Sequence, residues 1–191
     1  TKKAEEYIRQ YTDDKPFFIS MGLLFPHRDY RQSAAGAGDF VMPPAILRDT
    51  PQTRKDFADY IQSVSFADGC VAKVLNALRQ RGFYDELLII LTTDHGIAFP
   101  FMKCNLTDSG TGVTLAIKMP GQKRHAVSDH LISQIDVFPT ICDIIKAPKP
   151  GWLQGKSFLP ILRGDPAEIH RAIFAEITYH AAYEPQRCIR T

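Results

Sequence analysis

Seven consecutive residues, Leu87-Leu88-Ile89-Ile90-Leu91-Thr92-Thr93, run without a single charge. An unbroken apolar run of strand length reads as a strand buried on both faces, the pattern of a parallel sheet covered by helices on either side. The run ends in Asp94-His95-Gly96, a carboxylate and an imidazole beside a residue that lets the chain turn sharply. Pro16–Leu24 (PFFISMGLL) has the same character, and Val113–Met119, closed by Pro120-Gly121, supplies a third such run. From about 53 to 81, Phe57, Ile61, Val64, Val71, Leu75 and Leu78 step by threes and fours, which predicts a helix stopped by Gly82. The expected fold is α/β, a mostly parallel sheet flanked by helices on both faces.

Elsewhere the chain alternates in the same way. Ala4, Tyr7, Ile8 and Tyr11 share one face of an N-terminal helix. Residues 135–145 predict a helix with Asp136 as cap, Pro139 in the first turn, and Val137, Ile141, Ile144 and Ile145 turned inward. A turn and short helix over 152–162 follow, then a strand over 172–177 and a further strand starting near Arg187. Asp68 falls on the apolar stripe of the long helix, where a buried carboxylate needs a hydrogen-bond partner. The stretch from Phe25 to Pro51 is long and aperiodic, the mark of a functional loop. At 191 residues the chain is sized for one domain. It starts on a helix under way and stops on a strand beginning, so it reads as a domain truncated at both ends.

Composition excludes several classes. Lys and Arg number 23 against 21 Asp and Glu, a formal net charge of +2 that gives no electrostatic reason for nucleic acid or an anionic membrane as partner. No apolar run reaches the length of a bilayer span, and no signal peptide opens the chain. Cys70, Cys104, Cys142 and Cys188 form no CxxC pair, which argues for thiols rather than a zinc site or a disulfide framework. Oligomeric state leaves no mark on the sequence.

Open α/β sheets place ligands beyond the carboxyl ends of their strands. The first strand delivers His27 there, the second Asp94 and His95. Aspartate oxygen suits any divalent cation, and histidine nitrogen suits zinc or manganese better than calcium. A turn-capping Asp beside a surface His has the same appearance. Lys103, eight residues past His95, is placed to hold a sulfate or phosphate oxygen or is simply solvated. His27 is placed to give a proton to a leaving oxygen or to satisfy backbone groups in a turn.

Taken together, PFFISMGLLFPHRDY (16–30), the stretch 59–96 ending in DHG, FPFMKCNLTDSGTGVTLAIKMPG (99–121), SQIDVFPTICDII (133–145) and LQGKSFLPIL (153–162) resemble the sulfatase family of the alkaline-phosphatase-like superfamily. The loop 96–105 is most similar to that of heparan N-sulfatases and bacterial glycan sulfatases. The resemblance implies a metal-dependent hydrolase of sulfate esters or N-sulfates of small molecules or oligosaccharides, acting in lysosome, periplasm or medium. By it Asp94 is a Ca2+ ligand, with Zn2+ or Mn2+ as the alternatives. His95 stands where many members carry Asn, and binds either metal or sulfate. Lys103 grips the sulfate and its bridging oxygen, and His27 contacts the sulfate and helps the leaving group depart.

The family's nucleophile is a formylglycine made from Cys or Ser in a C/S-x-P-x-R motif. No Cys or Ser of this chain begins that motif. The resemblance therefore implies a partial catalytic domain over 1–191, with its nucleophile region before residue 1 and a C-terminal subdomain beyond, and predicts that this part alone is inactive. Two other readings stand beside it: a zinc phosphatase or phosphodiesterase of the same superfamily, and a degenerate member that keeps the fold without catalysis.

Overall fold

Helix α1 (Lys2–Gln10) lays Ile8, fully buried, against Ala77 and Leu78 of helix α2 (Pro51–Gln80). Phe17, Ile19, Phe83, Leu87 and Ile89 close over this cluster. Helix α2 starts where Thr50 turns its Oγ1 to accept the Thr53 N–H at 3.1 Å, with Pro51 fixing the first turn. It ends at Gly82, whose φ of +74° is open to glycine at no steric cost. The chain is described here by a computed structural model covering residues 1–123, 125–180 and 182–191. These residues divide into two units. One comprises Thr1–Leu91, Ala98–Phe101 and Ala116–Gly121; the other comprises Thr92–Ile97, Met102–Leu115 and Gln122–Thr191.

Strand β1 (Ile89–Thr92) occupies the apolar run that ends in Asp94, as expected. Helix α3 (Asp108–Thr111) is a single turn in the loop that leads to strand β2 (Leu115–Lys118). The two strands pair, bracketed by Gly121 N–H to Asp85 O at 2.7 Å and Thr93 N–H to Thr114 O at 3.2 Å. Residue numbers rise along one strand as they fall along the other, so the pair is antiparallel. The mostly parallel sheet expected is not formed among the described residues, whose strands make two-stranded ribbons only. Pro16–Leu24 carries no strand pairing. Phe17 and Ile19 face the cluster under α1, while Phe18 is 86% exposed. A strand destined for burial on both faces needs hydrogen-bonding neighbours at its edges, and no strand lies beside this segment among the described residues.

The same absence of cover explains α2. Its buried residues are Ala58, Ser63, Cys70, Ala77 and Leu78, whereas Ile61, Val64 and Asp68 of the expected inward stripe are exposed. Asp68 is thus a solvated acid and not a core one. The loop 25–51 packs on the opposite side of α2: Ser63 Oγ accepts the Arg31 N–H at 2.7 Å, and Asp59 Oδ1 accepts both the N–H and the Oγ–H of Ser33.

In the second unit, a short 3-10 turn (Gln134–Asp136) leads into helix α4 (Val137–Ile145), and helix α5 (Leu159–Arg163) follows. Strand β3 (Ile173–Tyr179) pairs antiparallel with strand β4 (Tyr183–Arg190), with Ala175 opposite Cys188. Asp136 stands at the N-cap of α4 as expected, but its side chain makes no cap bond to that helix. It closes a capping box with Ser133 around the preceding 3-10 turn instead, and is fully buried. Asp136 Oδ2 accepts the Ser133 N–H at 2.8 Å and the His170 Nε2 proton at 2.9 Å, while Oδ1 accepts the Lys156 N–H at 2.7 Å. Thr140, also buried, donates to the Asp136 carbonyl at 2.6 Å and accepts the Phe158 N–H at 3.0 Å. Thr140→Val leaves that N–H unpaired in the core and is expected to cost about 1–3 kcal/mol, against much less for Thr140→Ser. Denaturant unfolding of the full-length protein checks this.

Candidate functional site

Strand β1 carries the chain to Asp94, whose carboxylate is 89% exposed. Among the described residues its one recorded partner is His95, with Nε2 at 3.6 Å from Oδ2. His95 Nδ1 lies 2.6 Å from the Gly96 carbonyl oxygen. A carbonyl only accepts, so Nδ1 carries the proton and, in the neutral ring, Nε2 presents its lone pair. Two electron-rich atoms thus face one another across a gap too long for a hydrogen bond.

Gly96 makes this turn possible in a second way. A Cβ there would lie 1.8 Å from the Ser109 carbonyl oxygen, and one at Gly110 would lie 2.1 Å from that of Asn105. The loop folds back on itself at these points, with Gly96 N–H donating to Gly110 O at 2.8 Å. Gly96→Val is expected to spread the loop and loosen whatever it holds, read as faster amide hydrogen exchange across 96–112.

Lys103 belongs to the same loop and the same unit. Its N–H donates to Ile97 O at 3.1 Å, two residues from His95. Phe101 and Cys104, which flank this turn, hold positive φ of 66° and 68°, a conformation costly for side chains of their kind. The Lys103 ammonium has no protein partner among the described residues. One loop therefore carries a carboxylate, an imidazole lone pair and a cation.

A Ca2+ ion takes about six to eight ligands, mostly oxygens, and a structural zinc four. Asp94 and His95 fit such an ion as two members of a donor set. They are not the whole of it, since no cluster of three or more His, Cys, Asp or Glu is placed to hold a metal among the described residues. The single ring proton of His95, on Nδ1, is tied to a backbone carbonyl, the way metal-binding imidazoles are oriented.

Asp94, His95 and Lys103 belong to the second unit, whereas His27 belongs to the first. It is exposed, with its N–H donating to Leu24 O at 2.9 Å and its Nδ1 at 2.5 Å from the Arg28 carbonyl. Nδ1 is again the protonated nitrogen, which leaves Nε2 outward. Behind it stands an arrangement that sequence reading missed. Arg28 clasps Asp56 through two bonds of 2.9 and 2.5 Å, donates to Ala98 O at 3.2 Å, and lies 4.3 Å over the Tyr30 ring. Burial pushes the Tyr30 phenol up to about 12 despite the neighbouring guanidinium, so it stays a donor to Ala98 O at 3.1 Å. Nothing in the spacing of Arg28 and Asp56 announces this pair, because one lies in a loop and the other on α2.

Residues 1–147 match the family model described as Sulfatase. The chain is 28% identical to N-sulphoglucosamine sulphohydrolase of Homo sapiens, over 90% of this chain and 41% of that protein. Among solved structures, one from Bacteroides thetaiotaomicron glycosaminoglycan metabolism superposes with a TM-score of 0.72 at 23% identity, covering 100% of this chain and 46% of the other. The phosphonate monoester hydrolase of Silicibacter pomeroyi gives a TM-score of 0.62 at 26% identity, over 78% of this chain and 32% of that one. The chain thus spans less than half the length of these relatives.

Proposed function

We propose, since this chain belongs to the sulfatase family, that it is the carboxyl-side part of a catalytic domain hydrolysing sulfate esters or N-sulfates of carbohydrates. The observation that carries the reading is the loop 94–103, in which the Asp94 carboxylate, His95 Nε2 and the Lys103 ammonium have no hydrogen-bond partner among the described residues. The names of its relatives supply the substrate class: N-sulphoglucosamine for one and glycosaminoglycan metabolism for another.

In this reading Asp94 and His95 hold a divalent cation, calcium by family membership, together with ligands from outside residues 1–191. When bound, the cation draws charge from the sulfate oxygens, and a formylglycine contributed by the rest of the protein supplies the oxygen nucleophile. Lys103 pairs with a sulfate oxygen and with the bridging atom, offsetting the charge that builds as the bond to sulfur breaks. As an imidazolium, His27 keeps its Nδ1 proton on the Arg28 carbonyl, which fixes the ring, and gives the outward Nε2 proton to the departing oxygen or nitrogen, returning to the neutral ring. The parallel sheet is completed in the whole protein, where partner strands flank Pro16–Leu24. We place that protein outside the cytosol, the location that the sulfatase resemblance implies.

The full-length protein is expected to release sulfate from N-sulphoglucosamine or an O-sulfated hexosamine and to contain calcium, while residues 1–191 alone release none. Two bound zincs with hydrolysis of a phosphate or phosphonate monoester, and no sulfate release, would replace this reading with the phosphoryl one. The phosphonate monoester hydrolase likeness and the imidazole at position 95 are what keep that second reading in play.

A further inference from the structure

In the first unit, an open groove of about 480 Å³ runs between residues 46–48, the first turn of α2 and Phe99–Phe101. That volume lies within the range of small-molecule sites. Its charges are unequally satisfied. Arg28 and Asp56, which form part of its wall, neutralise one another in the bidentate pair already described. Asp49, the sequence neighbour of Arg48, is clasped by Arg54 through bonds of 2.5 and 2.7 Å. That hydrogen-bonded pairing holds the Asp49 carboxyl below the usual carboxylate range. Arg48 itself lines the groove, exposed, with no hydrogen bond or ion pair among the described residues. The groove therefore carries one uncompensated positive charge, and the positive end of the α2 dipole adds to it. No acidic residue occupies the first turn of that helix to cancel the effect.

The other lining groups suit a sugar. Phe101, held at a φ of +66°, exposes 62% of its surface, and Phe99 beneath is braced by Tyr30, Phe57 and Tyr60. Flat aromatic surface with a polar rim, here Gln52 and Thr53, is what the alternating apolar and hydroxyl faces of a pyranose ring match. Arg28, in the wall, is the sequence neighbour of His27, the proposed proton donor, and both belong to this unit.

We propose that this groove seats a sugar bearing a second oxyanion, a carboxylate or a sulfate that is not cleaved, and that Arg48 pairs with it. A planar guanidinium matches the two oxygens of such a group. The assignment rests on the carbohydrate sulfohydrolase reading but is tested apart from it, by binding to the full-length protein. The probes are a disaccharide of N-sulphoglucosamine and a uronic acid, and its counterpart with a neutral sugar in place of the uronic acid. Calorimetry is expected to show the uronate disaccharide bound more tightly than its neutral counterpart. Arg48→Gln weakens the former about tenfold and removes the difference between them. Arg48→Lys restores part of the loss.

Equal binding of both probes to the wild type, no binding of either, or an Arg48→Gln protein that binds like the wild type each overturn the proposal. Sulfate release from the same wild-type sample is scored independently. Arg48-dependent binding without sulfate release keeps the groove and removes the sulfohydrolase reading, and sulfate release without Arg48 dependence does the reverse. Because Arg48 is exposed and makes no hydrogen bond or ion pair among the described residues, its replacement leaves the unfolding midpoint unchanged.

Discussion

Asp94→Ala and Lys103→Ala are each expected to lower kcat/KM of the full-length protein for a sulfated hexosamine by about 10³-fold or more. The two losses differ in kind. Without Asp94 the site surrenders one of its donors, so bound metal falls below stoichiometric and part of the activity returns at high metal concentration. Without Lys103 metal content stays as in the wild type, and the loss persists at any metal concentration. Asp94 is exposed and the Lys103 ammonium has no hydrogen-bond or ion-pair partner among the described residues, so neither change should move stability by more than about 0.5 kcal/mol. That separation matters, because a loss of activity that tracked a loss of stability would speak only for folding. Activity retained within a few-fold in both variants would show that the loop 94–103 does not carry the chemistry.

The Asp94-His95-Gly96 turn could be read in the sequence because three independent signals met there: an apolar strand, a carboxylate beside an imidazole, and a glycine. Local signals of that kind survive whatever surrounds them. The long helix was legible for the same reason, since its spacing and its Gly82 stop are properties of neighbouring residues. Which face of it is buried was not legible. Ile61, Val64 and Asp68 form a stripe by spacing, yet burial depends on a second surface, and among the described residues none covers that stripe. The strand expected over Pro16–Leu24 fails in the same way, for a ladder is a relation between two segments and cannot be a property of one. Arg48 and the Arg28–Asp56 pair were hidden because their significance lies in which charges are matched, and matching follows from the fold of a loop without periodicity.

Asp136→Ala is expected to be the most damaging single change to stability, about 3–5 kcal/mol. The sequence marked Asp136 as a helix cap, but its role is wider. One fully buried carboxylate gathers the Ser133 N–H before α4, the Lys156 N–H from the chain twenty residues later, and His170 beyond that. Alanine leaves those donors facing a void in the interior. Gly155, whose Cβ would lie 2.0 Å from the Ile135 carbonyl oxygen, shows how closely the 150s segment is drawn in, so little room exists for water to replace the lost oxygens. Asparagine keeps an acceptor for part of the set and turns an N–H2 against the remainder, so Asp136→Asn falls between alanine and wild type. His170→Ala removes a single partner and costs less, and the double variant costs less than the sum of the two, since the 2.9 Å contact is lost once and not twice. Thermal unfolding of the full-length protein and of these variants measures the series. Additive losses from Asp136→Ala and His170→Ala would mean that the two side chains do not act on one another. The metal content and KM of the protein that remains folded should match the wild type, because the anchor holds α4 and the 156–158 segment in place and touches none of the groups assigned to substrate.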